Sequence, residues 1–271
     1  MLHEYSVYLS SVKGYSPNTV RGYIADCREF VTFIKQHTEV ERWSEVTRQE
    51  IDAWVIQMKE AGLSASTSNR RLAAVAGLYR YFKREGYDVE NPCQYESRRK
   101  QPERVPSTIA PEQIRQAYKH ATGPAKVMIG ILASTGIRIA EMLDLTWEDI
   151  DFATHQIRIF GKGQKERQVI ASNEVISDLE SRRFGTTPKG RIFWLNQRHA
   201  RHIIYEALHP FCTARQLSPH AIRHTFATEL AKSGANVTTI AKILGHSSIS
   251  TTQKYIDMAQ LPTNCVGISL T

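Results

Sequence analysis

Residues 218–255 read SPHAIRHTFATELAKSGANVTTIAKILGHSSISTTQKY, and the reading of the whole chain turns on them. Ser218-Pro219 opens a helix, with proline at the first helical position, where its missing N–H costs nothing. Ile222, Phe226 and Leu230 recur at four-residue spacing and form the buried stripe of that helix. His220 and Arg223, three residues apart, then share a neighbouring face and can reach one target. Val237, Ile240, Ile243 and Leu244 make the apolar face of a second helix closed by Gly245, so His246 falls on a short turn. Ser250 and Gln253 have the spacing of a capping box, which sets Tyr255 within the first turns of a third helix.

Upstream of this stretch the pattern stays mainly helical from about Pro111. Residues 124–135, carrying Val127, Ile129, Ile131 and Leu132, read as a buried helix stopped by Gly136. Arg138 and Glu141 follow directly in Thr135-Gly136-Ile137-Arg138-Ile139-Ala140-Glu141. The period changes to two between residues 156 and 170. Gln156 to Phe160, then Gly161-Lys162-Gly163, then Arg167 to Ile170 read as a β-hairpin with Lys162 at its tip. A GKG tip is more often a turn than a catalytic site, and it lacks the GxxxxGK[ST] spacing of a phosphate loop. Helices resume after about residue 172.

The first ninety residues read as helices. One starts at Ser16-Pro17 and carries Val20, Tyr23, Ile24, Phe30, Val31 and Ile34. A second opens at Thr47 with Glu50 as its capping-box partner, carries Ile51, Trp54, Val55 and Met58, and ends at Gly62. Leu72, Val75, Tyr79 and Phe82 set a third, ending before Gly86. Arg70, Arg71, Arg80, Lys83 and Arg84 on and around it are either a solvated face or a grip on a phosphate backbone. Residues 91–108, with three prolines and the run Arg98-Arg99-Lys100, read as a basic extended linker. The expected domains are therefore 1–90, helical; 91–108, linker; and 109–271, mixed but mostly helical with a small β-hairpin.

A chain of 271 residues with 41% hydrophobic content is long enough for two packed cores. No apolar run approaches the roughly 20 residues needed to cross a bilayer. The start, Met1-Leu2-His3-Glu4, lacks a secretion signal, and the expectation is a soluble, cytoplasmic protein. Cys27, Cys93, Cys212 and Cys265 form no CxxC pair, against a disulfide framework or a cysteine zinc site. The net charge of +8 is unevenly spread: residues 1–95 balance, whereas residues 96–271 hold 23 Lys/Arg against 15 Asp/Glu. Such an excess suits a polyanion partner, although charge alone decides nothing.

What is specific is the ordered set: arginine, lysine on a hairpin, HxxRH, then LGH with a tyrosine nine residues after that histidine. The set resembles the tyrosine recombinase (phage integrase) family, and the layout is similar to its Xer-like members. GYSPNTVRGY and TSNRRLAAVAGLYRYFKREG resemble the family's N-terminal helical, SAM-like core-binding domain. STGIRIAEMLDL, HAIRHTFATELAKSG and LGHSSISTTQKYI resemble its catalytic domain. The resemblance implies site-specific cutting and rejoining of double-stranded DNA, with Arg138, Lys162, His220, Arg223, His246 and Tyr255 in the six catalytic positions. Glu141 falls where the family often has an acidic residue supporting the first arginine. It also implies a tetramer on DNA, a dimer per site, with a possible second recombinase or accessory protein.

On that resemblance, Arg138 and Arg223 would neutralise a phosphodiester by paired hydrogen bonds. Tyr255 would be the nucleophile, His220 the candidate base, His246 a further donor to the phosphate, and Lys162 the acid for the departing 5′ oxygen. His224 stands four residues after His220, the spacing of a zinc-binding HxxxH. Ala221 replaces the glutamate of HExxH, and His224 reads as a satisfied structural histidine. The tail, Thr263 to Thr271, is uncharged and too short for a long helix; Val266, Ile268 and Leu270 are expected to add to a partner as a strand or plug. Competing readings are a type IB topoisomerase-like relaxing enzyme and a DNA-binding protein that does not cut. No cofactor and no metal are expected. Full strand-cutting activity in EDTA is the expected outcome, and activity that vanished with EDTA and returned with a divalent cation would contradict it.

Overall fold

The computed structural model describes residues 1–94, 106–161, 166–183, 187, 189–213, 217–246 and 248–260, with Gln260 described by its backbone alone. The chain divides into two compact units, Met1–Glu103 and Arg104–Thr271. Lys162 and the tail after Gln260 lie outside the described residues, as do 95–105 of the stretch read as a linker.

The first unit is a helical bundle: α1 (Leu2–Val7), continued by a π-helical turn over Tyr8–Val12, then α2 (Pro17–His37), α3 (Arg48–Glu60) and α4 (Ala65–Arg84). Local chemistry sets these bounds. The Ser16 side chain accepts the Thr19 N–H, and Glu50 accepts the Thr47 N–H at 2.7 Å in the expected capping box. Ser64 caps α4 in the same way through the Thr67 N–H. Gly62 ends α3 in the left-handed conformation, φ +72°. The apolar faces close on a core in which Tyr5, Cys27, Phe30, Trp54, Leu78, Tyr79 and Phe82 are almost wholly buried. Tyr5 belongs to α1, which periodicity did not single out, and its hydroxyl sits where a Cβ at Gly77 would be, 2.5 Å away.

Within that core lies a carboxylate, Asp26, buried on α2 and ion-paired with Arg70 and Arg71 of α4. Two of the five cations on that helix are thus engaged inside the unit. Arg84 lies over the Tyr8 ring, 4.7 Å from its centroid.

The second unit is mainly helical: α5 (Pro111–His120), α6 (Gly123–Thr135), α7 (Ile139–Asp144), α8 (Asn173–Arg182), α9 (Gln197–Leu208), α10 (Pro219–Lys232), α11 (Val237–Leu244) and α12 (Ile249–Gln260). A small antiparallel sheet of β1 (Ile150–Asp151), β2 (Gln156–Phe160) and β3 (Glu166–Ile170) interrupts the helices, in that order. Helix α6 is apolar around most of its surface from Val127 to Leu132, as a central helix is, and packs against α5, α8, α9 and α10. The hairpin register pairs Ile157 with Val169 and Ile159 with Arg167, turning the isoleucines and Val169 inward.

A smaller cluster of Ala227, Ile240, Leu244 and Tyr255 joins α10, α11 and α12. Helix α12 begins at Ile249, so Ser250 lies inside it and does not cap it; Gln253 donates instead to Asp257 one turn on. At the entry to the unit Ile109 is buried, and its peptide both donates to and accepts from the Thr225 hydroxyl at 2.9 and 2.8 Å. Cys27 and Cys93 are buried and Cys212 half-buried, and no disulfide joins them. No described helix is long and apolar enough to cross a membrane.

Trp54 packs against Phe30 in a tilted arrangement at 4.8 Å between centroids and lies almost wholly buried in the core of the first unit. Trp54→Ala is expected to cost about 3–5 kcal/mol in urea unfolding followed by far-UV circular dichroism, the range for emptying a large aromatic site. A cost below about 1 kcal/mol would show that the packing is not as drawn.

Candidate active site

The site is assembled around the carboxyl end of α11. A helix leaves its last four carbonyls without intrahelical partners, and that end carries the negative pole of the helix dipole. Gly245 turns the chain back with φ +66°, so that the N–H groups of Gly245 and His246 return to the carbonyls of Lys242 and Ala241. The next three carbonyls go to three different arginines. Arg167 Nε donates to Ile243 at 2.8 Å, Arg223 Nη2 to Leu244 at 2.8 Å, and Arg138 Nη2 to Gly245 at 3.0 Å.

Each arginine reaches that point for a local reason. Gly136, at φ +63°, ends α6 and swings the chain so that Arg138 sits at the N-cap of α7. A Cβ at Gly136 would strike the Phe226 ring at 2.2 Å. Arg223 comes from α10, which is started by Ser218 accepting the Ala221 N–H. Its side chain is buried and also donates to the Gly136 carbonyl at 2.7 Å. Arg167 comes from β3, on the inward face it shares with Val169.

Glu141 holds two of the three together. It accepts the Arg138 N–H and the Arg138 guanidinium, both at 2.8 Å, and faces Arg167 with both oxygens, at 2.7 and 3.1 Å. Burial pushes its carboxyl upward, but Arg167 and Arg138 outweigh burial and hold it below the usual carboxylate range. The Arg138 side chain is 37% exposed, against 12% for Arg167, and so presents the open edge of the group. Burial, and then Arg138, bring the Arg223 pKa down to about 10, which still leaves it charged at neutral pH.

Tyr255 is 2% exposed on α12. Burial raises its phenol pKa, while Arg223 and Arg138 pull it back down. Its hydroxyl lies 2.7 Å from Nδ1 of His224. His246 stacks beside the Tyr255 ring at 6.3 Å and places Nδ1 2.8 Å from the Thr252 hydroxyl. Burial and the nearby cations lower both histidines to a pKa of about 4, so both rings are neutral at physiological pH. His220 is exposed on α10, its ring 6.2 Å from that of His224; partial burial, then Arg223, Arg201 and Arg138, lower its pKa as well.

Of the residues expected to form a site, Arg138, Glu141, Arg223, His246 and Tyr255 come together here, with His220 at the exposed rim. Lys162 lies outside the described residues. Two participants escaped the sequence reading. Arg167 occupies an inward position of an alternating strand, and a cation at such a position is the signal that would have found it. His224 is satisfied by a hydrogen bond, as expected, and the partner that sequence could not name is the Tyr255 hydroxyl. Among the described residues, no three His, Cys, Asp or Glu side chains gather into a metal-binding group.

The phage integrase family model matches residues 107–261, and the phage integrase N-terminal SAM-like domain matches residues 2–86. The chain is 29% identical to the tyrosine recombinase XerC of Bacillus pumilus, covering 96% of this chain and 92% of the relative. It is 30% identical to the XerC of Herpetosiphon aurantiacus, over 97% and 95% of the two chains. In fold it is similar to the Tn1549 transposon integrase solved with transposon right end DNA, with a TM-score of 0.74 and 21% identity over 94% and 93% of the chains. A lambda integrase dimer bound to a core site gives the same TM-score at 17% identity, over 98% and 79% of the chains. With more than half of its length matched by the family model and a relative at 30% identity along nearly all of it, the chain belongs to the phage integrase family.

Proposed function

We propose that this chain is a site-specific DNA recombinase in which Tyr255 attacks a backbone phosphate, forms a 3′-phosphotyrosyl ester and passes the strand to a new 5′-hydroxyl. The observation that carries the reading is geometric: Arg138 and Arg223 donate to the adjacent carbonyls of Gly245 and Leu244, and the buried Tyr255 belongs to the same small core cluster as Leu244.

A phosphodiester resists attack because its anionic oxygens repel the nucleophile and its leaving oxygen is poor. Two fixed guanidinium groups answer the first difficulty, since they carry charge at any physiological pH and their N–H groups are already aimed by the α11 carbonyls. Nδ1 of His246 is occupied by the Thr252 hydroxyl at 2.8 Å; in the tautomer in which that hydroxyl donates, Nε2 carries the proton and offers one more donor to a non-bridging oxygen. Lys162, which falls between β2 and β3 in the sequence, is assigned to protonate the departing 5′ oxygen, and the exposed His220 is assigned to the rim where the phosphate enters. The phosphotyrosyl ester retains the energy of the broken bond, so rejoining needs neither nucleotide nor metal. The partner is double-stranded DNA, held through phosphate contacts by the basic second half of the chain. Two dimers, one per site, would form the working tetramer in the cytoplasm, with room for a second recombinase or accessory protein.

Tyr255→Phe is expected to bind target DNA as the unaltered chain does and to form no covalent adduct. The assay is a nicked duplex that traps the ester, resolved on a denaturing gel; an adduct that persisted in Tyr255→Phe would place the nucleophile elsewhere. Arg167→Ala removes a bidentate partner of Glu141 and a ligand of the Ile243 carbonyl. With Arg138 less firmly held, adduct formation should slow by roughly 10–100-fold, the penalty of a small misplacement, while DNA affinity changes little. Equal rates in the two proteins would remove the positioning role from Arg167.

A further inference from the structure

Nucleophilic attack needs somewhere for the phenol proton to go, and a tyrosine hydroxyl has one proton to donate. Here one ring stands within hydrogen-bond reach of that hydroxyl: the Tyr255 oxygen lies 2.7 Å from Nδ1 of His224, which accepts the proton when the neutral ring carries its own on Nε2. His224 lies one residue past Arg223 on α10, half-buried, with its ring 5.6 Å from the tyrosine ring. His220 is a full turn away on the same helix and exposed. We infer that His224 is a catalytic residue, the group that takes the proton from Tyr255 as the phosphorus is attacked. The inference rests on Tyr255 being the nucleophile, and it moves the base role expected of His220 to its neighbour one turn on.

The step balances. The Tyr255 O–H bond breaks and its proton passes to Nδ1 of His224. The freed oxygen pair forms the bond to phosphorus, the bond from phosphorus to the 5′ oxygen breaks, and that oxygen takes a proton from the general acid assigned to Lys162. On rejoining, each proton returns by the same path.

The electrostatics around His224 make this acceptor conditional on DNA. The groups facing it are His220 and Arg223 on its own helix, Tyr255 on α12 and His246 on the preceding turn, with Arg138 acting on the same tyrosine. Burial, then His220 and Arg223, hold the ring neutral in the free chain, with a pKa of about 4. A neutral ring accepts a hydrogen bond but is a reluctant base beside cations. The scissile phosphate brings one negative charge, and the five-coordinate phosphorus of the transition state brings a second. Both raise the proton affinity of His224 at the moment the proton must move. In the absence of DNA the phenol stays protonated and unreactive toward water-borne electrophiles.

His224→Asn separates holding the hydroxyl from taking its proton, because the amide oxygen of Asn replaces Nδ1 as an acceptor and cannot be protonated near neutral pH. The full chain, His224→Asn and Tyr255→Phe are compared on a nicked target duplex from pH 5.5 to 9, once with an ordinary 5′ oxygen and once with a bridging 5′ sulfur. The sulfur leaves without needing a proton. His224→Asn is expected to cleave about 100-fold or more slowly at pH 7, the low end of what a positioned base contributes. Its rate should climb about tenfold per pH unit where the unaltered chain is level, because hydroxide must then remove the phenol proton. The sulfur substrate should not restore it.

A rate within threefold of the unaltered chain with the same pH profile, or full recovery on the sulfur substrate, would overturn the inference. Absence of an adduct in the unaltered chain itself would instead strike the reading of Tyr255. Should His224→Asn fail to fold, histidine nitrogen NMR of the unaltered chain supplies the test. The Nδ1 resonance of His224 must shift on Tyr255→Phe, and no shift would overturn the inference equally.

Discussion

Three guanidinium groups converge on three successive carbonyls at the end of one short helix, and the rest of the catalytic unit is arranged to permit it. The carbonyls of Ile243, Leu244 and Gly245 are strong acceptors at the negative pole of α11, and a chain that buried them unpaired would lose several kilocalories per mole. Arginines satisfy them and gain, in return, a fixed direction. The arrangement draws on α7, β3 and α10, and the arginines come from up to 107 residues away from the carbonyl they meet. Packing that looks structural is therefore what aims the cations.

Charge balance in this small volume follows a consistent logic. A carboxylate, Glu141, offsets part of the repulsion among the arginines and is held ionised by them. Burial first, and then neighbouring positive groups including Arg223, keep His224 and His246 neutral. The site thus carries more positive charge than its one carboxylate offsets. Preorganised dipoles and charges of this kind act at full strength because they do not have to reorient during the reaction.

Much of this was legible in the order of residues. Capping residues at Ser16, Thr47 and Ser218 and left-handed glycines at 62, 136 and 245 mark helix ends by local sterics, and local sterics can be read one turn at a time. The hairpin was visible because period two is a property of neighbouring residues. What escaped depends on long-range geometry. Arg167 belongs to a strand whose inward face is defined only by what covers it. His224 acquires its meaning from a tyrosine 31 residues away that comes to lie beside it. Helix α1 is too short to show a period, and the start of α12 moved two residues because Ser250, able to cap, lies within the helix instead of before it. Asp26 is the opposite error: its apolar neighbours announced a buried face, and nothing local announced that a charge would share it with Arg70 and Arg71.

The clasp between the Ile109 peptide and the Thr225 hydroxyl has a mechanical side. Two hydrogen bonds fasten the incoming strand of chain to α10 at the residue next to His224 and two from Arg223. Ile109 is thereby fixed to the same turn of α10 that carries Arg223 and His224. The two bonds thus act as a staple, fixing the start of the second unit to the helix that bears Arg223.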